Sequence, residues 1–289
     1  MYKLIASDVD GTIMPDNEVA TQRTRRAVEL VNTTSAIMSL STGRRIASTE
    51  VVANTLGISN NPLICHCGAV ITLPSQKKII KATHISSDIA FQITKMALNS
   101  GSSVSILENV YEGRRIFQLP LPHYFRTVAY NSWYGSYCRP CELSEVKNLS
   151  DPIQISLQGK ADFVVRAYND IKTVFKDTLV YVDYGTLSSG DYVIDIFGTN
   201  VSKAQALLVL MDIYKIDVDE VVAFGDGLND LEILGIAGLS VAMENAINHI
   251  KDRCMRVTLS NNEDGVAHVI EELYNKNLLI SPTTVPTFP

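Results

Sequence analysis

Four short runs, at residues 4–6, 36–40, 63–65 and 221–224, are apolar without regular polar alternation, and each gives way at once to polar or glycine-rich residues. A strand that shows water neither of its faces can carry apolar side chains at every position, as strands do in parallel sheets covered by helices on both sides. Helical patterns occupy residues 21–31 and 46–56, and another at 203–214 precedes the last run. Strand followed by helix, repeated, predicts an α/β fold with a Rossmann-like doubly wound parallel sheet.

The chain has 289 residues, more than one hydrophobic core usually organises. Its middle reads differently, with strand-like segments at 103–107, 153–157, 179–182 and 192–197 separated by turn-rich pieces, and helical patterns at 87–99 and 161–176. Residues 83–188 are therefore expected to form an inserted α+β unit, with 1–82 and 189–289 building the Rossmann-like core. The uncharged, proline-rich tail from residue 281 is expected to be a loosely ordered terminus.

Composition narrows the partners. The formal net charge is −6 and Lys and Arg are scattered, so the chain offers no basic stripe to a nucleic-acid backbone. No apolar run approaches the ~20 residues of a membrane-spanning helix, and the N-terminus lacks the features of a secretory signal, so a cytoplasmic protein without membrane attachment is expected. Five cysteines fit reduced thiols better than a disulfide framework. Cys138 and Cys141 form a C-x-x-C near His123, and Cys65 and Cys67 flank His66. With no second paired motif they fall short of a four-ligand zinc site. Oligomeric state is not readable.

In open parallel sheets, ligands collect beyond the carboxyl ends of the strands. The first run delivers Asp8-Val9-Asp10-Gly11-Thr12, the second Ser41-Thr42-Gly43-Arg44, and the last Gly225-Asp226-Gly227-Leu228-Asn229-Asp230. Asp8, Asp10, Asp226 and Asp230 in one small volume would repel, and a hard divalent cation with oxygen ligands is the usual remedy; Mg²⁺ fits, since it keeps waters and substrate phosphate among its ligands. The remaining groups suit a phosphate. Thr42 supplies a hydroxyl, Gly11, Thr12 and Gly43 permit close approach of backbone N–H groups, and Lys203 opens a helix with its ammonium available.

These motifs, with Val241-Ala-Met-Glu-Asn-Ala and Glu263-Asp-Gly-Val-Ala behind them, resemble the haloacid dehalogenase-like hydrolases, and in particular the Cof-type phosphatases with a large inserted α/β cap. The resemblance covers nearly all of the core; the cap matches by position and size. It implies a phosphatase acting on small phosphorylated metabolites, with Asp8 as nucleophile and Asp10 as the acid that protonates the leaving oxygen and then activates water. Thr42 and Lys203 would hold the transferred phosphoryl group, with Val9, Gly11, Thr12, Gly43 and Asn229 around it. Asp8, Asp10 through its backbone carbonyl, Asp226 and Asp230 would serve Mg²⁺.

Rival readings exist. A calcium-binding helix-loop-helix would need Glu where Val19 stands, and lacks it. Arg44 and Arg45 read as salt-bridged helix starts. A phosphomutase or phosphotransferase would use the same motifs, and a non-catalytic phosphometabolite sensor would not need Asp10. His66-Cys67-Gly68-Ala69 stands where family members often carry Asn-Gly-Ala, and Ala204 follows Lys203 where Gly is frequent. In the cap, Tyr111, Arg114, Arg115, Trp133, Tyr134 and Tyr137 are candidates for reading a sugar or base.

Overall fold

The computed structural model describes residues 1–108, 116–119, 138–150 and 152–281. The six candidate reading residues from Tyr111 to Tyr137, His123, the side chain of Cys138 and the tail from residue 282 lie outside these. The chain divides into two compact units, one made of Met1–Lys81 with Ser202–Pro289 and the other of Ala82–Val201.

The first unit is built on a five-stranded parallel sheet. Its strands are β1 (Leu4–Ser7), β2 (Ile37–Leu40), β12 (Val221–Gly225), β13 (Leu239–Ala242) and β14 (Arg256–Val257), in the order β14-β13-β12-β1-β2. Both faces are covered, which explains the absence of alternation in the sequence. Leu4, Ala6, Val221 and Ala223 pack with Leu207, Leu210 and Met211 of the helix Lys203–Tyr214, while the alternate residues Ile5, Met38, Val222 and Phe224 are equally buried. Helices Gln22–Asn32 (α1) and Ile46–Leu56 (α2) stand close to their expected bounds. Thr21 caps α1 by accepting from the Thr24 N–H, and Gly57 ends α2 in the left-handed conformation that costs glycine least.

Register decides where the chemistry falls. Ser7 pairs with Leu40 on one side and Phe224 on the other, so β1, β2 and β12 end level and release their following loops at one edge of the sheet. The third apolar run behaves differently. Among the described residues β3 (Leu63–Cys65) meets the parallel sheet through an isolated bridge between Ser41 and Ile64, and it pairs antiparallel with β4 (Val70–Leu73) in a separate sheet that β5 (Lys78–Ala82) completes.

The second unit is a six-stranded sheet, β10-β11-β9-β6-β7-β8, formed by β6 (Ser103–Glu108), β7 (Ile116–Leu119), β8 (Cys138–Pro140), β9 (Pro152–Gly159), β10 (Val180–Thr186) and β11 (Tyr192–Phe197). All its pairings are antiparallel except β7 with β8. Helices α3 (Ser87–Asn99) and α4 (Ala161–Phe175) cover one face, with Ile93, Ala97, Val164 and Ile171 against Ile106, Ile155 and Ile194. The boundary expected after residue 188 falls inside a hairpin. Leu187 and Asp191 close its turn and β11 pairs with both β10 and β9, so the second unit runs on to Val201. The apolar run at 192–197 looks like a return to the core, and its hydrogen-bonding partners are not written in its composition.

Candidate active site

Asp8 is the first residue past β1, and its N–H donates to the Phe224 carbonyl of β12 at 3.1 Å. The chain then turns sharply, with Thr12 and Met14 N–H groups both returning to the Val9 carbonyl. Val9 itself is fully buried, which anchors the turn from below. Gly11 sits at φ +71°, and a Cβ there would run into the Asp226 carboxylate, so both torsion and space demand glycine. The loop is also tied across the site. Thr12 donates its hydroxyl to Asp226 Oδ1 at 2.8 Å, and Asn245 Nδ2 donates to the Gly11 carbonyl at 2.8 Å.

Lys203 is the first residue of the helix Lys203–Tyr214, α5, whose N-cap Ser202 accepts from the Gln205 N–H at 3.2 Å. Its side chain is 1% exposed, and its ammonium lies 2.9 Å from Asp8 Oδ1 and 2.7 Å from Asp230 Oδ1. The other oxygen of Asp230 accepts from the N–H groups of Asp226 and Gly227 at 3.2 and 3.0 Å. Asp230 thus ties the lysine to the loop after β12, and Gly225 lacks a Cβ where one would strike the Asp230 side chain.

Asp8, Asp226 and Asp230 each present a carboxylate oxygen within 4.8 Å of the others. Three carboxylates face one ammonium. Burial, then the Asp230 charge, pushes Asp8 up to about 7 against the opposing pull of Lys203. Burial likewise raises Asp226, helped by Asp230 and Asp10 and opposed by the Thr12 hydroxyl and Lys203. Burial works against the charged form of Lys203, but Asp8 and Asp230 together outweigh it and its pKa is raised. With all three carboxylates ionised, two negative charges are left over among hard oxygen donors, which is what a divalent cation offsets. The donor set can therefore hold a metal ion.

Thr42 is 1% exposed, and both its backbone groups are fixed, the N–H on the Ile64 carbonyl and the carbonyl by the Cys67 N–H. Its hydroxyl accepts from the Arg44 N–H at 3.1 Å, and Gly43 lies between them. Asp10 is not one of the clustered carboxylates. Its side chain projects outward and is held by the Arg44 guanidinium, with Nε 2.8 Å from Oδ2 and Nη2 on Oδ1. Asn229 is exposed on the short turn Leu228–Asp230.

Three features carry no role in the sequence reading. Arg44, read there as a helix start, grips Asp10. Asn245 lies inside the Val241-Ala-Met-Glu-Asn-Ala motif, and its Oδ1 accepts from the Asn261 N–H, so the loop after β1 is fastened to two later loops. The turn His66–Gly68 has positive φ at all three residues, 51°, 54° and 99°. The His66 and Cys67 N–H groups hold the Arg44 and Thr42 carbonyls, and a Cβ on Gly68 would strike the Ser202 carbonyl. That turn is a wedge between the Thr42 loop and the start of α5.

A family profile described as haloacid dehalogenase-like hydrolase matches residues 5–270. YxeH of Bacillus subtilis is 28% identical over 280 residues, covering 94% of this chain and 98% of its own. The 5-amino-6-(5-phospho-D-ribitylamino)uracil phosphatase YwtE of the same organism is 25% identical over 285 residues, with 94% and 98% covered. A haloacid dehalogenase-like hydrolase from Bacteroides thetaiotaomicron superposes with a TM-score of 0.81 at 22% identity, covering 94% of this chain and all of that one.

Proposed function

We propose, from the premise that this chain belongs to the haloacid dehalogenase-like hydrolases and is a phosphatase, that it hydrolyses small phosphomonoesters through a covalent aspartyl-phosphate on Asp8. The observation that carries this reading is the setting of Asp8, a buried carboxylate at a strand end with the Lys203 ammonium 2.9 Å away and Asp226 and Asp230 beside it. A carboxylate oxygen of Asp8 attacks phosphorus and the ester P–O bond breaks on the opposite side. The departing oxygen takes a proton from Asp10, leaving that residue ionised. Asp10 then takes a proton from water as the water oxygen attacks the phosphoryl-aspartate, which releases inorganic phosphate and restores Asp8.

Lys203 and the Thr42 hydroxyl hold phosphoryl oxygens during both transfers, and the backbone around Val9, Gly11, Thr12 and Gly43, together with Asn229, lines the anion site. Asp8, Asp226, Asp230 and the Asp10 carbonyl are the groups that would hold Mg²⁺, which neutralises charge on the substrate phosphate when bound. The inserted unit, Ala82–Val201, reads the leaving group, and the substrates are sugar phosphates or similar small cytoplasmic metabolites. A relative that bears the name of a ribitylaminopyrimidine phosphatase places that phosphate ester on the panel to be tried.

The test is release of inorganic phosphate from such a panel, with and without Mg²⁺, by the wild type, Asp8→Asn and Asp10→Asn. Metal-dependent release that Asp8→Asn abolishes is the expected result. A wild type that moves phosphate between sugar hydroxyls without releasing it would replace hydrolysis by phosphoryl transfer, and binding without turnover would make the chain a sensor.

A further inference from the structure

Asp10 has the most demanding task in the proposed reaction, since it must deliver a proton to one oxygen and later collect one from another. It is also the most exposed of the acidic residues at the site, its side chain 57% exposed against 10% for Asp8. A carboxylate on an exposed loop ordinarily samples several rotamers, and proton transfer needs heavy atoms held within hydrogen-bond reach.

The backbone beneath Asp10 is already fixed. Gly11 is pinned by Asn245, and the Thr12 hydroxyl is bound to Asp226. Only the side-chain torsions of Asp10 remain free, and Arg44 removes both by gripping the two carboxylate oxygens with two different nitrogens. The grip is itself anchored, because the Arg44 N–H donates to the Thr42 hydroxyl, its carbonyl accepts from the His66 N–H at 2.9 Å, and its side chain is only 20% exposed. Glu18, 3.7 Å from Nη2, steadies the guanidinium from another side. An isolated surface ion pair is a weak restraint, but a planar fork on a fixed backbone holds a carboxylate in one plane.

We propose that Arg44 is the positioning residue of the reaction, holding the Asp10 carboxylate in the plane from which it donates to the leaving oxygen and accepts from water. This rests on the phosphatase reading above. An alkyl phosphate cannot lose its alkoxide without that proton, whereas p-nitrophenyl phosphate releases a stable phenolate unaided. General acid–base groups contribute about 10²–10⁴-fold, so Arg44→Ala is expected to lower kcat/KM for glycerol phosphate or a hexose phosphate by about a hundredfold. The loss on p-nitrophenyl phosphate is expected to be smaller by about tenfold or more on the same ground. Arg44→Lys, which keeps the charge but only one contact, is expected to recover part of the alkyl-ester activity.

Equal losses on both esters, carried in KM, would make Arg44 a ligand of the phosphate common to them and overturn the inference, as would an unchanged alkyl-ester rate. Phosphate release from neither ester by the wild type would overturn the phosphatase reading and this inference together. Release by the wild type with equal losses of kcat/KM on both esters in the variant would overturn this inference alone.

Discussion

Lys203 shows how a residue with almost no local signal acquires meaning from its neighbours. A lone lysine at a helix start is ordinarily solvated, yet here the side chain is fully buried between Asp8 and Asp230. Deleting one partner of a buried ion pair costs about 3–5 kcal/mol, because the charge left behind has no counter-ion. Lys203→Met should therefore lower the free energy of unfolding by an amount of that order, and Mg²⁺ should return much of it, since a cation relieves the same repulsion; equilibrium denaturant unfolding with and without Mg²⁺ reads both. The acids themselves were legible, because Asp8 and Asp10 lie in the loop that follows the first apolar run and Asp226 and Asp230 in the loop that follows the last. Arg44 was not, because its partner lies 34 positions away and only the fold brings them together. Asn245 was not legible for a similar reason: it stands in a recognisable motif, but the Gly11 carbonyl it holds is a backbone atom that no side-chain pattern announces.

At the scale of elements, the core strands and the helices marked by the sequence start within about a residue of their expected places, since a start depends on neighbouring residues, whereas β10 runs on to Thr186, beyond the expected 182. The wedge at His66–Gly68 was not. The departure from Asn-Gly-Ala was visible, but positive φ at His66 and Cys67 reflects contacts with Arg44, Thr42 and Ser202 that arrive from elsewhere in the chain. Gly68→Ala should push α5 back from this turn and move Lys203 with it, so phosphate release should fall more than thermal stability. A comparison of kcat/KM with Tm checks this, and proportionate loss of both would mean general unfolding.

β11 offers a second test. Asp195 is buried in the sheet of the second unit, accepting from Gln154 Nε2 at 2.6 Å and from the Ser156 hydroxyl. Burial pushes it up to about 6 from 3.8, with both hydrogen bonds pulling the other way. The folded state therefore binds its proton more tightly than the unfolded chain, and the stability this contributes is full below about pH 4 and lost as pH rises through about 6. The change amounts to about 2–3 kcal/mol. Asp195→Asn should flatten the stability profile between those values in pH-dependent denaturant unfolding.

On the scale of the whole molecule, the two units have separate cores, and the clustered carboxylates belong to one of them. A ligand that binds only the native state stabilises the part it binds, by about 2.7 kcal/mol at a hundred times its dissociation constant. Mg²⁺ should then raise the melting transition of Met1–Lys81 with Ser202–Pro289 and leave that of Ala82–Val201 in place. Calorimetry with and without the ion separates them, and Asp226→Asn should erase the difference. The division into a parallel core and an inserted α+β unit was legible because the hydrophobic pattern changes between them. The exit point was not, because a final antiparallel strand and a first core strand look alike until their pairing is known.

That division also orders events in time. Ser7 pairs with Phe224, so β1 lacks one of its two neighbours until residues 221–225 have been synthesised. Residues 82–201 emerge in one piece and contain all the strands of their own sheet, so they can fold while β1 still waits. Asp8 precedes the inserted unit in the chain, and the Asp226 and Asp230 that join it follow that unit. A released chain truncated at residue 215 should resist protease in its middle and yield in its first segment, because the strand and the carboxylates that join β1 and Asp8 come from beyond the inserted unit.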